Sequence, residues 1–279
     1  MAANHKHAQE AVILGSARTP QGKFLGILSS LSAAELGQVA VKAAVERSGI
    51  NPADVDEVIL GNVVSAGVGQ ALPRQISIRA GVPDTVGGTS INKVCGSGLK
   101  SVMLASNAIK AEDGDLYIAG GVESMSRAPF LNDSVRMGNK YGHVQLRDSL
   151  QDDGLWCHLC DWGMGNAAEF IARQMELTRE ELDEFALRSH QLAGKATDEG
   201  RFKTEIAPVT IKTRKGEIVV DEDEPIRRDT TLEALAKLRP AFEADGIVTA
   251  GNAPGMNDGA AALIVSSRAY AEKAGVQPV

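Results

Sequence analysis

The sequence predicts an α/β protein in which a mostly parallel sheet is covered by helices on both faces. Three short apolar runs indicate buried strands, namely Ala11–Ser16, Glu57–Val64 and Leu116–Val122. Segments with helical spacing of apolar residues lie between these runs, which is typical of right-handed βαβ units. Glycine contributes 29 of the 279 residues and favours tight turns and close backbone packing.

The first helix is predicted from its start and stop signals. Ser32-Ala33-Ala34-Glu35 is a capping box, in which serine and glutamate each accept a backbone N–H of the other residue. Gly49 is a suitable C-terminal stop. A second, shorter helix is predicted to begin near Pro73 and to run to about Ala80.

The next strand and helix surround the first cysteine. Thr89–Val94 is short and rich in β-branched residues, and it leads directly into Cys95. Gly96–Ile109 has apolar residues around nearly its whole circumference. This pattern predicts a helix that is buried on all sides.

The composition becomes more polar after about Ser124 and stays so to residue 246. Thr178-Arg179-Glu180-Glu181 predicts a further helix start, and Ile206–Val220 predicts a hairpin. The apolar run Gly259–Ser267 then predicts one more core strand, with a helix after it. We therefore expect one α/β domain made of residues 1–123 and 247–279, with residues 124–246 as a large inserted domain.

Composition excludes several classes of function. The formal net charge is −7, which disfavours nucleic-acid binding. The longest segment without a charged residue, Val58–Pro73, is too short and too polar to span a bilayer. The first residues lack a secretory signal, and three cysteines are too few for a disulfide scaffold. We expect a cytoplasmic protein with no nucleic-acid or membrane partner.

Cys95 is the main candidate for chemistry. It lies within Asn92-Lys93-Val94-Cys95-Gly96-Ser97-Gly98, at a predicted strand-to-helix turn. Free N–H groups and the helix dipole favour an anion there, and hence the nucleophilic thiolate. Gly96 and Gly98 leave room for a substrate, and the Cys95 N–H can help to hold an oxyanion. The alternative is a small thiol that packs in the core.

Cys157-His158-Leu159-Cys160 has the spacing of half a zinc site. A structural zinc ion needs four ligands, and the sequence has no second pair, so no metal is predicted. A redox role is disfavoured because a thioredoxin-like context is missing. Packing beside Trp156 and Trp162 is the favoured interpretation.

Several ordered motifs resemble those of the thiolase family, and the resemblance extends from about Ala11 to Val279. The motifs are Asn92–Gly98, Gly120–Ser126, Lys237–Phe242, Thr249–Gly251 and Asn252–Ala261. Three polar residues in or near them, Glu123, Asn257 and Asp258, are predicted to satisfy backbone groups rather than to act as acids or bases.

The resemblance implies a thiolase-like fold: a mixed, mostly parallel five-stranded sheet, helices on both faces and a large inserted loop domain that binds coenzyme A. It implies that Cys95 is acylated and that the acyl group then passes to coenzyme A or to a second acyl-CoA. The reaction is acetoacetyl-CoA synthesis or 3-ketoacyl-CoA thiolysis. The implied substrates are acetyl-CoA or 3-ketoacyl-CoA, with no permanently bound cofactor, and the implied assembly is a homodimer or homotetramer.

Four residues match coenzyme A contacts of the family. Arg227 matches an arginine at the nucleotide end, where a guanidinium suits adenine stacking or a phosphate. Leu155 and Met164 match apolar residues of the pantetheine and acyl channel, and Ala253 matches a backbone contact to pantetheine. The alternatives are a solvated arginine and ordinary core side chains.

The chain also departs from the family pattern. Gly163 stands where the family often has a histidine, and Pro254 where it often has a serine. The Gly-His-Pro, Asn-Glu-Ala-Phe and Cys-x-Gly-Gly-Gly motifs of thiolases do not occur in the sequence. We therefore expect the first half and loop domain of a thiolase, with the C-terminal half absent. The alternative is a non-catalytic or truncated half-thiolase that needs a complementary chain.

Overall fold

The computed structural model describes residues 9–279. The strands are, in chain order, β1 (Ala11–Arg18), β2 (Gly22–Lys23), β3 (Glu57–Gly61), β4 (Gly87–Ile91), β5 (Leu116–Ser124), β6 (Phe130–Leu131), β7 (Arg147–Asp148), β8 (Trp156–Cys157), β9 (Trp162–Gly163), β10 (Val209–Thr213), β11 (Gly216–Val220) and β12 (Asn257–Ser267). The α-helices are α1 (Ala33–Ser48), α2 (Leu72–Arg79), α3 (Ser97–Lys110), α4 (Met164–Gln174), α5 (Arg179–Asp198), α6 (Leu232–Ala236) and α7 (Arg268–Ala274).

The central sheet has the order β1-β12-β5-β3-β4. β3 is parallel to β4 and β5, whereas β12 is antiparallel to both of its long neighbours, β1 and β5. The four strands β1, β3, β4 and β5 therefore run in one direction, which confirms the predicted mainly parallel α/β sheet. The main path of the sheet has the five strands predicted, and the two-residue strand β2 is added beside it, where it pairs with the start of β12.

Alternating side chains of the strands divide the core between the two faces of the sheet. Val58 and Leu60 point into the core under α1 and α2, and Ile59 between them points into the core under α3. The α3 core also contains Ala105, Ile109, Tyr117, Ala119 and Val265. Both faces are covered by helices, as predicted.

Helix α1 has the predicted start and stop. Ser32 Oγ accepts the Glu35 N–H at 3.3 Å, and Glu35 Oε2 accepts the Ser32 N–H at 2.8 Å. Gly49 ends the helix with a φ of 70°, in the left-handed region that glycine adopts without strain. The buried apolar stripe of α1 includes Leu36, Ala40, Val41 and Ala44.

Helix α3 is not buried on all sides, so that prediction is wrong. Its buried residues are Ser97, Ser101, Ala105 and Ile109, a single stripe with four-residue spacing. On its other side Leu99 is 69% exposed and Met103 is 50% exposed. The described residues pack against only one face of this helix, although its sequence is apolar on several faces.

Residues 125–256 add no strand to the central sheet. They contain three two-stranded sheets, β6-β7, β8-β9 and β10-β11, together with α4, α5 and α6. The predicted hairpin is β10-β11, and the predicted helix after Thr178 is α5. The Arg18 guanidinium at the end of β1 connects to this region, through Asp223 at 2.7 Å and Glu205 at 2.9 Å. The division into two domains stays a prediction.

Across residues 9–279, every helix is too short or too polar to cross a membrane.

Candidate active site

A strained turn joins β4 to α3. Val94 has a φ of 48°, in the left-handed region that β-branched residues rarely adopt. Its N–H donates to Asn92 Oδ1 at 2.9 Å. Ser97 Oγ accepts the Lys93 N–H at 2.8 Å and donates to Val94 O at 2.6 Å. These bonds hold a conformation that costs on the order of 1–3 kcal/mol elsewhere.

Cys95 directly follows the strained residue and is exposed, which excludes the alternative of core packing. It borders a cavity of about 720 Å³, within the size range of small-molecule sites. Other residues that line the cavity include Arg18, Thr19, Val63, Gly98, Glu123 and Asp258. The turn therefore presents a thiol to an open cavity at the N-terminus of a helix.

Glycines bring the start of α3 close to the sheet. A Cβ on Gly61 would lie 2.6 Å from Ser97 Cβ and 2.7 Å from Gly98 N. A Cβ on Gly121 would lie 3.2 Å from Gly98 Cα. A Cβ on Gly98 itself would meet nothing closer than 3.9 Å, so the predicted open space at Gly98 is present.

Ser101 is a site residue that sequence reasoning missed. Its fully buried Oγ accepts the Gly120 N–H at 2.8 Å and lies 2.6 Å from Gly98 O and 2.8 Å from Gly120 O. The hydroxyl therefore joins the first turn of α3 to β5. The available signal is its position four residues after Ser97, which places two polar residues on the buried stripe.

Glu123 fixes the loop after β3 beside the cavity. Its carboxylate accepts the Val63 N–H at 3.0 Å, the Val64 N–H at 2.9 Å and Asn62 Nδ2 at 2.9 Å. Burial raises the pKa of Glu123 above its ordinary value, and the Val63 and Val64 N–H donors oppose that shift. Asp258 is buried and accepts the Ser126 N–H at 2.9 Å. These contacts fit the predicted structural role of both carboxylates.

None of the four predicted coenzyme A contacts lines the cavity beside Cys95. Leu155 and Met164 are brought together, because the residues next to them, Trp156 and Gly163, pair in the β8-β9 hairpin. Ala253 is half-buried, and its N–H donates to Thr249 O at 3.0 Å.

Arg227 is exposed, and its guanidinium forms no ion pair among residues 9–279. Its backbone N–H donates to His190 Nδ1 at 3.2 Å. Burial, and then the Arg227 charge, lower the pKa of His190. The neutral imidazole that results is the form that accepts this N–H.

The described part of the chain contains no cluster of three or more His, Cys, Asp or Glu side chains that could hold a metal ion. His158 Nε2 lies 3.2 Å from Asp152 O. His5 and His7 lie outside the described residues.

Comparison with known families decides the relationship. The model of the thiolase N-terminal domain matches residues 11–269. The chain belongs to the thiolase family. The predicted resemblance and membership of an enzyme family are thereby confirmed.

This thiolase chain is similar to bacterial proteins described as acetyl-CoA acetyltransferases. An acetyl-CoA acetyltransferase of Paracoccus denitrificans is 47% identical over 270 residues, which are 97% of this chain and 69% of that protein. A probable acetyl-CoA acetyltransferase of Escherichia coli is 48% identical over 263 residues, 94% of this chain and 67% of that protein.

Solved thiolase structures share the fold. The crystal structure of the Bacillus anthracis acetyl-CoA acetyltransferase has a TM-score of 0.94 and 42% identity, and the match covers 98% of this chain and 69% of that one. The structure of the acetyl-CoA acetyltransferase from Syntrophomonas wolfei has a TM-score of 0.93 and 41% identity, with 97% and 68% covered. These matches confirm the predicted thiolase-like fold.

Proposed function

We propose that this chain performs the acyl-enzyme step of an acetyl-CoA acetyltransferase, with Cys95 as nucleophile. The observation that carries the proposal is an exposed thiol at a strained strand-to-helix turn beside a cavity of about 720 Å³. The relatives' descriptions name acetyl-CoA as the acyl donor.

In this step the Cys95 thiolate attacks the carbonyl carbon of the acetyl-CoA thioester. The bond from that carbon to the coenzyme A sulfur breaks, and coenzyme A leaves as a thiolate. Because one thioester replaces another, the step has a small free-energy change. Backbone N–H groups at the start of α3, including that of Cys95, would stabilise the negative oxygen of the tetrahedral intermediate. In the second step the bond between the acyl carbon and Cys95 Sγ breaks, and Cys95 leaves as a thiolate. The acyl group passes either to the thiolate of coenzyme A or to the α-carbon of a second acyl-CoA, which loses a proton to a base, with acetyl-CoA or 3-ketoacyl-CoA as substrate.

Coenzyme A is a substrate here and not a bound cofactor. Leu155 and Met164 would contact its pantetheine, and Ala253 would contact it through the backbone. Arg227 would contact the nucleotide end, for which its exposed guanidinium is available.

Intact-protein mass after incubation with acetyl-CoA tests the nucleophile. We expect one acetyl adduct on the natural chain and on Cys160→Ser, which keeps Cys95 and removes an exposed thiol elsewhere. We expect no adduct on Cys95→Ser. An adduct that persists in Cys95→Ser would assign the chemistry to another residue.

Arg227→Ala tests the nucleotide contact. We expect about tenfold weaker coenzyme A binding by calorimetry, equivalent to ~1.4 kcal/mol. Arg214→Ala, an exposed arginine of the β10-β11 turn, is the matched control and should bind normally. Removal of the Arg227 charge should also raise the pKa of His190, measured by nuclear magnetic resonance. Unchanged affinity with a raised His190 pKa would show that Arg227 is only a solvated residue.

A second candidate function is that of a chain that works only with a complementary chain. The exposed apolar face of α3, with Leu99 and Met103, favours it because this face starts one turn from Cys95. A folded natural chain that takes no acetyl adduct alone, and gains one when a complementary thiolase half is added, would support this candidate. Light scattering on the natural chain would report the expected homodimer or homotetramer.

A further inference from the structure

We propose that Cys157 and Cys160 form a redox-active dithiol that closes to a disulfide within the β8-β9 hairpin, by exchange with a small disulfide of the glutathione class. This modification site is separate from Cys95 and goes beyond the proposed acyl transfer. It replaces the packing role that the sequence favoured for the two cysteines, because Cys160 is exposed and Cys157 is only partly buried.

The hairpin places the two thiols together. Cys157 is the last residue of β8 and pairs with Trp162, the first residue of β9. The connecting residues 158–161 carry Cys160, and Asp161, with a φ of 55°, turns the chain back into β9. The connection of four residues keeps Cys157 and Cys160 within one short loop. Mutual hydrogen bonding of the two side chains contributes to a shift in the pKa of each thiol.

The tip of the hairpin is open to a reagent. Leu159, between the two cysteines, is 97% exposed. Cys160 is exposed and Cys157 is partly exposed. Trp156 Nε1 donates to Asp161 Oδ1 at 3.3 Å, and this bond fixes the base of the loop. A disulfide the size of oxidised glutathione can therefore reach the pair without opening the fold.

The Cys157 and Cys160 sulfur atoms have different hydrogen-bond partners, and this difference bears on their roles in the exchange. The N–H groups of Cys160 and Leu159 donate to the Cys157 sulfur and lower the pKa of the Cys157 thiol. The hydrogen bond with Cys157 raises the pKa of the Cys160 thiol. These directions favour Cys157 as the attacking thiol and Cys160 as the resolving thiol, because the thiolate is the nucleophile in exchange. The reaction rates of the single-thiol variants test this assignment.

The exchange has two steps. The Cys157 thiolate attacks one sulfur of oxidised glutathione, the glutathione disulfide bond breaks, and one glutathione thiolate leaves. Cys160 then loses its proton and attacks the Cys157 sulfur of the mixed disulfide, and the second glutathione leaves. The protein gives up two electrons and two protons in total, and both glutathione molecules end as thiols.

The dithiol is not a metal site. Its hairpin also carries His158, whose Nε2 lies 3.2 Å from Asp152 O, and Asp161, whose Oδ1 accepts the Trp156 Nε1–H at 3.3 Å. The described residues contain no group of three or more His, Cys, Asp or Glu side chains that could hold a metal ion. Two thiols outside such a group suit disulfide formation better than tetrahedral coordination, which needs four ligands.

The hairpin lies directly between Leu155 and Met164. If these two residues line the coenzyme A channel, as the proposed function holds, closure of the disulfide would stiffen the segment that joins them. The dithiol itself is tested without that assumption.

The test uses the full chain with Cys95→Ser, in which Cys157 and Cys160 are the remaining cysteines. The protein is equilibrated with mixtures of reduced and oxidised glutathione, quenched with acid and labelled with N-ethylmaleimide, and its intact mass is measured. We expect two labels in reduced glutathione and the loss of both labels, without bound glutathione, in oxidised glutathione. Protein that carries one or two glutathiones at equilibrium, or that keeps both labels throughout, would overturn the proposal.

Two single-thiol variants complete the test. Cys95→Ser/Cys157→Ser and Cys95→Ser/Cys160→Ser cannot close a ring, so each is expected to retain one glutathione that dithiothreitol removes. The variant that keeps Cys157 should react faster than the one that keeps Cys160; equal or reversed rates would overturn the assigned roles. A non-reducing gel must show monomers, because dimers would place the disulfide between chains. Circular dichroism verifies that both variants are folded.

Discussion

Helices α1 and α3 cover opposite faces of the same sheet, and they begin in opposite ways. α1 begins with a capping box in which Ser32 and Glu35 bond each other's backbone N–H groups. α3 begins after the strained residue Val94, and its N-cap, Gly96, offers no side-chain acceptor. At the start of α1, side chains bond the Ser32 and Glu35 N–H groups. At the start of α3 no side chain acts as a cap, and the Gly96 and Ser97 N–H groups donate instead to Lys93 O at 3.1 Å and Val94 O at 3.0 Å.

At the start of α3, contacts with the sheet take the place of a side-chain cap. Gly61 allows the first turn to approach the sheet, and Ser101 bonds that turn to β5. Contacts with the sheet thus hold the start of α3 in place without a side-chain cap. Four substitutions test this difference.

Of the four substitutions, Gly61→Ala should lower the free energy of unfolding the most. The new Cβ would lie 2.6 Å from Ser97 Cβ and 2.7 Å from Gly98 N, and backbone atoms of α3 cannot yield as a flexible side chain can. We expect a loss of about 3 kcal/mol in the free energy of unfolding, measured by denaturant titration. Gly255→Ala, where a Cβ would meet nothing within 4 Å, is the matched control. Equal stability of both variants would show that α3 does not depend on this approach.

Ser101→Ala should cost about 2 kcal/mol, because the buried Gly120 N–H loses its acceptor. Asn107→Ala, on the exposed side of the same helix, should leave stability unchanged or slightly higher. Thermal unfolding of both variants checks the difference. If Ser101→Ala loses no more stability than Asn107→Ala, the proposed bridge between α3 and β5 is contradicted.

Val94→Asn should raise the free energy of unfolding rather than lower it. Asparagine tolerates the left-handed region better than valine, so we expect a gain of about 0.5–1 kcal/mol in the free energy of unfolding. The same change at Val219, an exposed residue of strand β11, should lower stability because asparagine disfavours strands. A loss at both positions would mean that the turn stores no strain.

Glu35→Gln should have the smallest effect, at about 0.5 kcal/mol near neutral pH, because the carboxylate is exposed. The hydrogen bonds from the Ser32 side chain and then its backbone lower the pKa of Glu35. Its contribution is therefore present above the unfolded value of 4.5 and is lost as the pH falls through the lower folded value. Urea titrations at several pH values should show the two proteins converge in acid. Glu184→Gln, an exposed residue of α5, should show no such convergence.

The sequence alone predicted those structural features whose residues lie close together in the chain. The capping boxes at Ser32 and Thr178 and the stop at Gly49 involve atoms a few residues apart, and all three are found as predicted. The family resemblance also rested on contiguous motifs. The turn at Cys95 follows from the adjacent strand and helix patterns, so its position was predictable as well.

Contacts between distant segments were not predictable in the same way. Ser101 depends on Gly120, which another strand places beside it. The exposed side of α3 was misjudged because periodicity shows which residues are apolar and not which ones are covered. The four coenzyme A contacts stay predictions, since they lie on different segments of the chain and none of them lines the cavity beside Cys95.

Because β12 lies between β1 and β5 in the sheet, the sheet cannot be completed until the end of the described chain has been synthesised. Among residues 9–279, β12 is the only long strand that pairs with β1, and residues 125–256 must be translated before β12 exists. At roughly 5–20 residues per second, the first strand leaves the ribosome on the order of ten seconds before it can join the sheet. During this interval only α1 is available to cover the apolar side chains of β1, and the unpaired strand edge is open to aggregation.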